Sequence, residues 1–467
     1  MLSSCLSLRL ALLFAAAVVA GCARSAPASA PSQNVDIVSL PSGPQSILQP
    51  AATSLTINRF ENIRFADQFP GADIGAQINA AIADLGAGGG VVEVPAGTYN
   101  FSTTIQLSQS YTWLRCQGWA TVLNYTGSGT AVIFGNSTAP GASPATLDAV
   151  HFSDCTLRGQ GTGTGIYVEA GMQVGNLIEH INFDDTGLGF QTFIVHGDTT
   201  GNSADYSVND NLILNNRIML NPSQSSSYAG VGIDVRPRSH NLVIAHNFIK
   251  RRVPAGMTNP SDGSICVRVT DSSSVKIVDN NIEGCGAANV QVGLTESESM
   301  QAYGTVVRGN YFEPLDAATI SIDVGKYAVG TVIDGNYMSG DALQSYLIQI
   351  EDCSYGTIIQ NNTQLSPAQS VINNLTSSCA QAITISGNRF NGASGSYVHG
   401  TAGIVYWQDP NAQTLTLGGV AFADLPSPTA KPSGTFLFCS DCNAAPACSA
   451  GGQGALAHSI AGAWVCN

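Results

Sequence analysis

The sequence predicts an all-β solenoid, a single-stranded parallel β-helix, and three observations predict it. First, a short phrase recurs at a fixed step: "GTVVRGNYFEP" from Gly304, "GTVIDGNYMSG" from Gly330 and "GTIIQNNTQLS" from Gly356, each 26 residues after the last. Second, an asparagine marks each copy and extends the series to Asn216, Asn247, Asn280, Asn310, Asn336, Asn362 and Asn388, with steps of 31, 33, 30, 26, 26 and 26. Third, the composition is poor in charge at 11% and rich in glycine at 50 of 467 residues, which suits a turn-rich β body.

Around most of these asparagines the pattern is [IV]-x-x-N-x-[IFM], as in "ILNNRI" and "IVDNNI". Two rungs lack the asparagine, "IEHINF" at Ile178 and "FSDCTL" at Phe152, with Ile181 and Cys155 in its place. One coil of about 26 residues holds three short strands and cannot bury a core alone. Parallel stacking places like over like at ~4.8 Å and closes the hydrogen bonds between coils. Isoleucine and valine then stack inward. A buried asparagine at a turn can bond the turns on either side through its amide, so the seven asparagines are read as structural.

The ends differ. Residues 1–22, "MLSSCLSLRLALLFAAAVVAGC", join Arg9 to an apolar run too short to span a bilayer, which reads as a signal peptide. The closing "VAGC" resembles a bacterial lipobox, which implies lipidation of Cys22 and contact with the membrane through that anchor only; ordinary secretion is the alternative. Residues 23–55 are rich in Ala, Ser and Pro and read as a flexible tether. Residues 56–415 form the β-helix. Within them "FPGADIGAQINAAIADLGAGGG" reads as an amphipathic helix with a glycine stop, placed to cover the open end of the stack.

Residues 416–434 read as a linker and 435–467 as a small Cys-rich domain. Its Cys439, Cys442, Cys448 and Cys466 follow the spacing C-x2-C-x5-C-x17-C, compatible with two disulfides or with zinc. Cys353 and Cys379 lie one 26-residue step apart, as a disulfide or as stacked thiols on neighbouring rungs.

The helix and the following "GGGVVEVPAGTYNF" closely resemble the opening of pectate-lyase-superfamily proteins, over about Phe60 to Gly400. The resemblance implies a right-handed β-helix. The family spans polysaccharide lyases, glycoside hydrolases, epimerases, tailspikes and non-catalytic members, so the partner it implies is an extracellular polysaccharide. Tailspike-type members imply a homotrimer as one assembly. The net charge of −14 disfavours a nucleic-acid partner.

Function is expected where coils are longer than 26 residues, from Ile181 to Asn310. Seven of the 18 basic residues fall between Arg236 and Lys276. Strand alternation turns Asp234, Arg236, Arg268 and Asp323 outward. Rung alignment stacks Lys250, Glu283 and Glu313 on consecutive coils, where two close carboxylates share a proton, bind a cation such as calcium, or are bridged by the lysine. The candidate catalytic group is Asp234, Arg236, Lys250, Arg268 and Glu283. The candidate substrate-binding group is Asp184, Asp185, Arg238, His240, His246, Arg251 and Asp323. A uronate lyase needs a base and cations that stabilise an enolate. A glycoside hydrolase needs two suitably spaced carboxylates. The "NFDDTG" doublet occurs without the other motifs of polygalacturonase-like members. The reading is a uronate-type polysaccharide lyase, with a hydrolase or a non-catalytic surface glycan binder as alternatives.

Overall fold

A computed structural model describes residues 62–135, 146–169, 173–183, 189–197, 208–220, 229–252, 263–293, 301–314, 319–339, 346–351, 353–364, 370–374, 382–390, 398–399, 404–408, 419–425, 427–428, 436–445 and 447–467. Three parallel sheets of 13, 11 and 11 strands run through it. We call them A, B and C in the order each coil visits them, and the winding is a right-handed β-helix. One coil passes through Val243–Ala245 in sheet A, Phe248–Arg251 in sheet B and Ile265–Val269 in sheet C, then returns to sheet A at Lys276–Val278.

Like stacks on like inside. Ile213, Ile244, Ile277, Val307, Ile333, Ile359 and Ile385 are successive partners in sheet A, and all are buried. Sheet B contributes Ile218, Ile249, Ile282, Phe312 and Met338, and sheet C contributes Ile233, Val267, Val290 and Ile322. Each such side chain stabilises the fold by about 1.5–3 kcal/mol through burial.

The asparagines occupy the corner between sheets A and B. Asn280 Oδ1 accepts the backbone N–H of Asn247 at 2.9 Å, and its Nδ2 donates to Ile244 O at 2.9 Å. The same pattern runs from Asn216 through Asn247, Asn280, Asn310, Asn336 and Asn362 to Asn388. The preceding residue is left-handed throughout, at Asn215, His246, Asp279, Gly309, Gly335, Asn361 and Gly387. The recurring glycine before threonine is the second such point: Gly304, Gly330 and Gly356 have φ of 62 to 68° at the return into sheet A.

The return corner holds a short ladder that the repeat does not reveal. Val150 N–H donates to Asn176 Oδ1 at 2.9 Å, and Asn176 N–H to Asn211 Oδ1 at 2.8 Å. Asn211 Nδ2 reaches His196 Nε2 at 3.0 Å, and His196 Nδ1 lies 2.8 Å from Ser239 Oγ. The Asn211 amide can only donate there, so His196 is neutral with its proton on Nδ1. Burial lowers its pKa to about 3.

The helix Ile74–Leu85 is capped by Asp73, which accepts from Ala76 N–H at 2.9 Å and from Ser102 and Thr103 N–H. Burial would raise the Asp73 pKa, but these backbone donors outweigh it and hold it low. Asn79 faces the first strand of sheet C, Ile105–Leu107. It donates to Thr104 O at 2.8 Å and accepts from Gln106 N–H at 2.8 Å. Its amide thus stands in for a neighbouring strand and closes the open edge.

The C-terminal sheet has four strands and a core of Cys439, Cys442, Ala455, Ala457, Trp464 and Cys466. It begins before residue 435: Gly419–Val420, inside the expected linker, pairs with Phe438 and Cys439. The cysteines pair as the disulfides Cys439–Cys442 and Cys448–Cys466. Two further disulfides, Cys116–Cys155 and Cys266–Cys285, staple the β-helix. Cys353 is disulfide-bonded, and Cys379 lies outside the described residues.

Two outcomes are expected. Asn280→Ala strands the Asn247 N–H and one bond of Ile244 O, at about 1–3 kcal/mol for each buried group; a lowered urea midpoint at unchanged slope measures it. His196 has a depressed folded pKa, so its contribution is present above pH ~6.5 and falls by about 1.4 kcal/mol per unit as pH drops towards 3. His196→Gln removes that slope from the stability–pH curve.

Candidate functional site

On sheet C the residues between the core positions form an outward column. Its register runs Ile133, Tyr167, Val195, Asp234, Arg268, Gln291, Asp323 and Gln349. The first three are a small apolar cluster of their own. From Asp234 onward the column is polar.

Asp234 is 1% exposed and holds two arginines. Arg268 binds it through Nε to Oδ1 at 2.8 Å and Nη2 to Oδ2 at 2.9 Å, and Arg236 donates Nε to Oδ2 at 2.8 Å. Burial alone would raise the Asp234 pKa, but Arg268 and then Arg236 outweigh it, so the carboxylate is held ionised. The arginine side chains stay 33% and 27% exposed and keep N–H groups for a ligand.

Two strands beyond Arg268, at ~10 Å, the character changes. Asp323 is buried and accepts from Gln291 Nε2 at 3.0 Å and Gln349 Nε2 at 3.2 Å. Burial raises its pKa more than these amides lower it. Glu351 follows, with its pKa raised by burial and by the Asp323 charge. Gln291, Gln349 and Glu351 were not anticipated. "NVQVG" and "LIQIED" carry them in the phase of "ISIDVG", and that shared phase was the available signal.

On sheet B the expected stack forms: Met219, Lys250, Glu283 and Glu313 are successive partners. Lys250 Nζ pairs with Glu283 Oε2, and Glu313 accepts from Tyr311 Oη at 2.8 Å. Beside them Tyr311 and Tyr337 stack at 5.5 Å. Lys250 therefore takes the place beside Glu283 that a cation would fill. Among the described residues, the groups of three His, Cys, Asp or Glu side chains close enough to hold a metal ion fall at the C-terminal cysteines, and neither Glu283 nor Glu313 is in one.

The five residues of the candidate catalytic group thus form two clusters on two sheets: Asp234, Arg236 and Arg268 on C, and Lys250 with Glu283 on B. Arg251 is fully buried, in phase with Ile249 and opposite in phase to Lys250, which corrects its placement on an accessible surface. His246 is exposed at the asparagine corner with φ of 56°, away from the sheet C column. Arg238 is left-handed at the return from sheet C. His240 follows it and shares its Nδ1 with Ser273 Oγ. Burial, then Arg238, lower the His240 pKa against the pull of Asp271, which favours neutral imidazole. Asp184 and Asp185 lie outside the described residues.

No protein-family model matches the chain, and no curated protein matches it. Solved structures do. The Azotobacter vinelandii mannuronan C-5 epimerase AlgE4 A-module has a TM-score of 0.50 at 17% identity, covering 74% of this chain and 100% of that one. DFA-IIIase from Arthrobacter chlorophenolicus A6 has 0.48 at 14%, covering 74% and 94%. The Streptococcus pneumoniae surface protein and adhesin PfbA has 0.48 at 16%, covering 73% and 99%. What the AlgE4 likeness shows is the shared right-handed β-helix.

Asp234→Asn is expected to cost roughly 2–3 kcal/mol, below the full value of a buried pair because both guanidinium groups remain partly solvated; thermal unfolding above pH 5 measures it. Asp323 behaves oppositely. Its raised folded pKa gives a contribution that is complete at low pH and lost as pH rises through it. The Tm of Asp323→Asn relative to the parent should therefore increase from pH 3 to pH 7.

Proposed function

We propose that this chain cleaves an extracellular, uronate-containing polysaccharide by β-elimination, with the outward column of sheet C as its site. The observation that carries the reading is the buried, ionised Asp234 fanning Arg268 and Arg236 outward, with the buried carboxyl of Asp323 two strands beyond.

Elimination removes the proton at C5 of a uronate and breaks the C4–O bond. Negative charge develops on the sugar carboxylate as the proton leaves, so fixed cations facing it lower the barrier. Arg268 keeps Nη1 and Arg236 keeps both terminal nitrogens for that carboxylate. Their orientation is set beforehand by Asp234, so little reorganisation accompanies the charge. The base must be unprotonated, which suits neutral His240. The departing oxygen needs a proton, which suits a carboxyl with raised pKa, Asp323 or Glu351. The column follows the stacking direction, along which a polymer can lie. The AlgE4 module, which shares the fold, is named for work at C-5 of mannuronan and lends support.

Export through the N-terminal segment, with lipidation of Cys22, belongs to the same proposal. Four described disulfides suit an oxidising compartment. A glycoside hydrolase is the second reading, favoured by two neighbouring carboxyls of raised pKa, Asp323 and Glu351.

A panel of uronate and neutral polysaccharides, with and without calcium, tests the proposal. Reducing ends that appear together with unsaturated-uronate absorbance are expected, and Arg268→Ala should lower kcat/KM by about 10²–10³. Reducing ends without the absorbance would transfer the assignment to hydrolysis. Binding without cleavage would sink both and leave a surface glycan binder.

A further inference from the structure

The first coils build their A–B corner differently from the rest. The Cys116–Cys155 disulfide stands there, and Ile181 lies where later coils have asparagine. Outward from this corner is a group of side chains that the sheet C site does not use. Trp119 is 48% exposed yet fixed: its Nε1–H donates to His180 O at 2.7 Å, and Thr156 Oγ1 donates to its backbone carbonyl at 2.9 Å. Asp154 and His180, on the next two coils, are both left-handed and carry partly exposed side chains.

Neighbouring groups hold the cluster rigid. Trp113 stacks on His151 at 4.7 Å and 8°, and its Nε1–H donates to Ser153 Oγ at 2.9 Å. Ser153 Oγ–H donates to Asp154 Oδ2 at 2.7 Å. His151 Nε2 lies 3.0 Å from Glu179 Oε1. Arg115 covers Trp113 at 4.8 Å and is paired with Glu93 at 2.6 Å. Open capacity remains at the surface. His180 Nδ1 sits 3.7 Å from Asp154 Oδ1 and 4.0 Å from Glu179 Oε2, too far to bond either.

From this geometry we infer that the A–B corner of the first coils is a second carbohydrate-binding site, for a neutral, hydroxyl-rich sugar ring. A fixed, half-exposed indole offers a flat apolar face to the C–H side of a pyranose. The imidazole and the carboxylates beside it offer donors and acceptors for hydroxyls, the few placed polar groups that orient a ligand on an apolar platform. Asp154 and Glu179 repel a uronate, whereas Arg236 and Arg268 attract one. The two sites therefore sort sugars by charge. The corner is a docking point with no reaction of its own, and the inference stands whether or not the sheet C site is a lyase.

The test uses the intact exported chain, neutral gluco-, manno- and galacto-oligosaccharides, and a uronate hexamer. Calorimetry and tryptophan fluorescence should report binding of a neutral oligosaccharide. Trp119→Ala should weaken it about tenfold, the scale of one aromatic stacking contact, and Trp119→Phe less. Polysaccharide cleavage and Tm should stay unchanged. In an Arg268→Ala background, Asp154→Asn with Glu179→Gln should raise affinity for the uronate hexamer. Absence of neutral-sugar binding across the panel, or binding that Trp119→Ala leaves intact, overturns the inference.

Discussion

The whole structure depends on one constraint: every buried amide at the A–B corner must find partners in the coil before or after its own. The asparagine side chain meets it by accepting one backbone N–H and donating to one carbonyl of the preceding coil. Because a one-residue slip would leave both groups unpaired in an apolar interior, the ladder locks the register of all three sheets at once. Where asparagine is lacking in the first coils, a disulfide stands at the same corner. The open end is met by the same chemistry, with Asn79 supplying to the first strand of sheet C what a further coil would have supplied.

Locked register is what turns sequence into a surface. Residues from strands more than thirty positions apart become neighbours ~4.8 Å apart, in a column whose order follows the coils. Asp234 and Arg268 meet in this way and so do Lys250 and Glu283. The two pairs differ in environment. Asp234 is sealed and ionised under two half-open arginines, an arrangement that presents positive charge. Lys250 and Glu283 neutralise each other. A scaffold with few charges thereby separates a cationic stretch from an acidic one on a single sheet, and burial then pushes Asp323 and Glu351 upward.

Disulfides add to this at points where the repeat is interrupted. Cys266 lies beneath the outward column, and its partner Cys285 lies in the turn between sheets B and C. That bond ties the strand carrying Arg268 to the turn after Glu283, so the two charged columns share a rigid base. The C-terminal sheet relies on its cysteines more heavily, since they make up half of its small core.

The repeat, the inward isoleucines, the asparagine ladder and the capping helix were all legible in the chain, because each is a local pattern reiterated at one spacing. So were the outward phase of Asp234, Arg268 and Asp323 and the stacking of Lys250, Glu283 and Glu313. Arg251 was misplaced because a basic cluster in sequence ignores alternation, and one position separates a half-buried lysine from a fully buried arginine. His246 was grouped with Arg238 and His240 by proximity in the chain, although it stands at the asparagine corner and they lie at the return from sheet C. Gln291 and Glu351 escaped because their importance lies in what stands beside them. By itself the sequence determined the fold, since periodicity is a property of one dimension. Only the tertiary structure decided which charges touch, which carboxyls are buried and which cysteines pair, because burial and proximity between coils exist only once the coils are stacked.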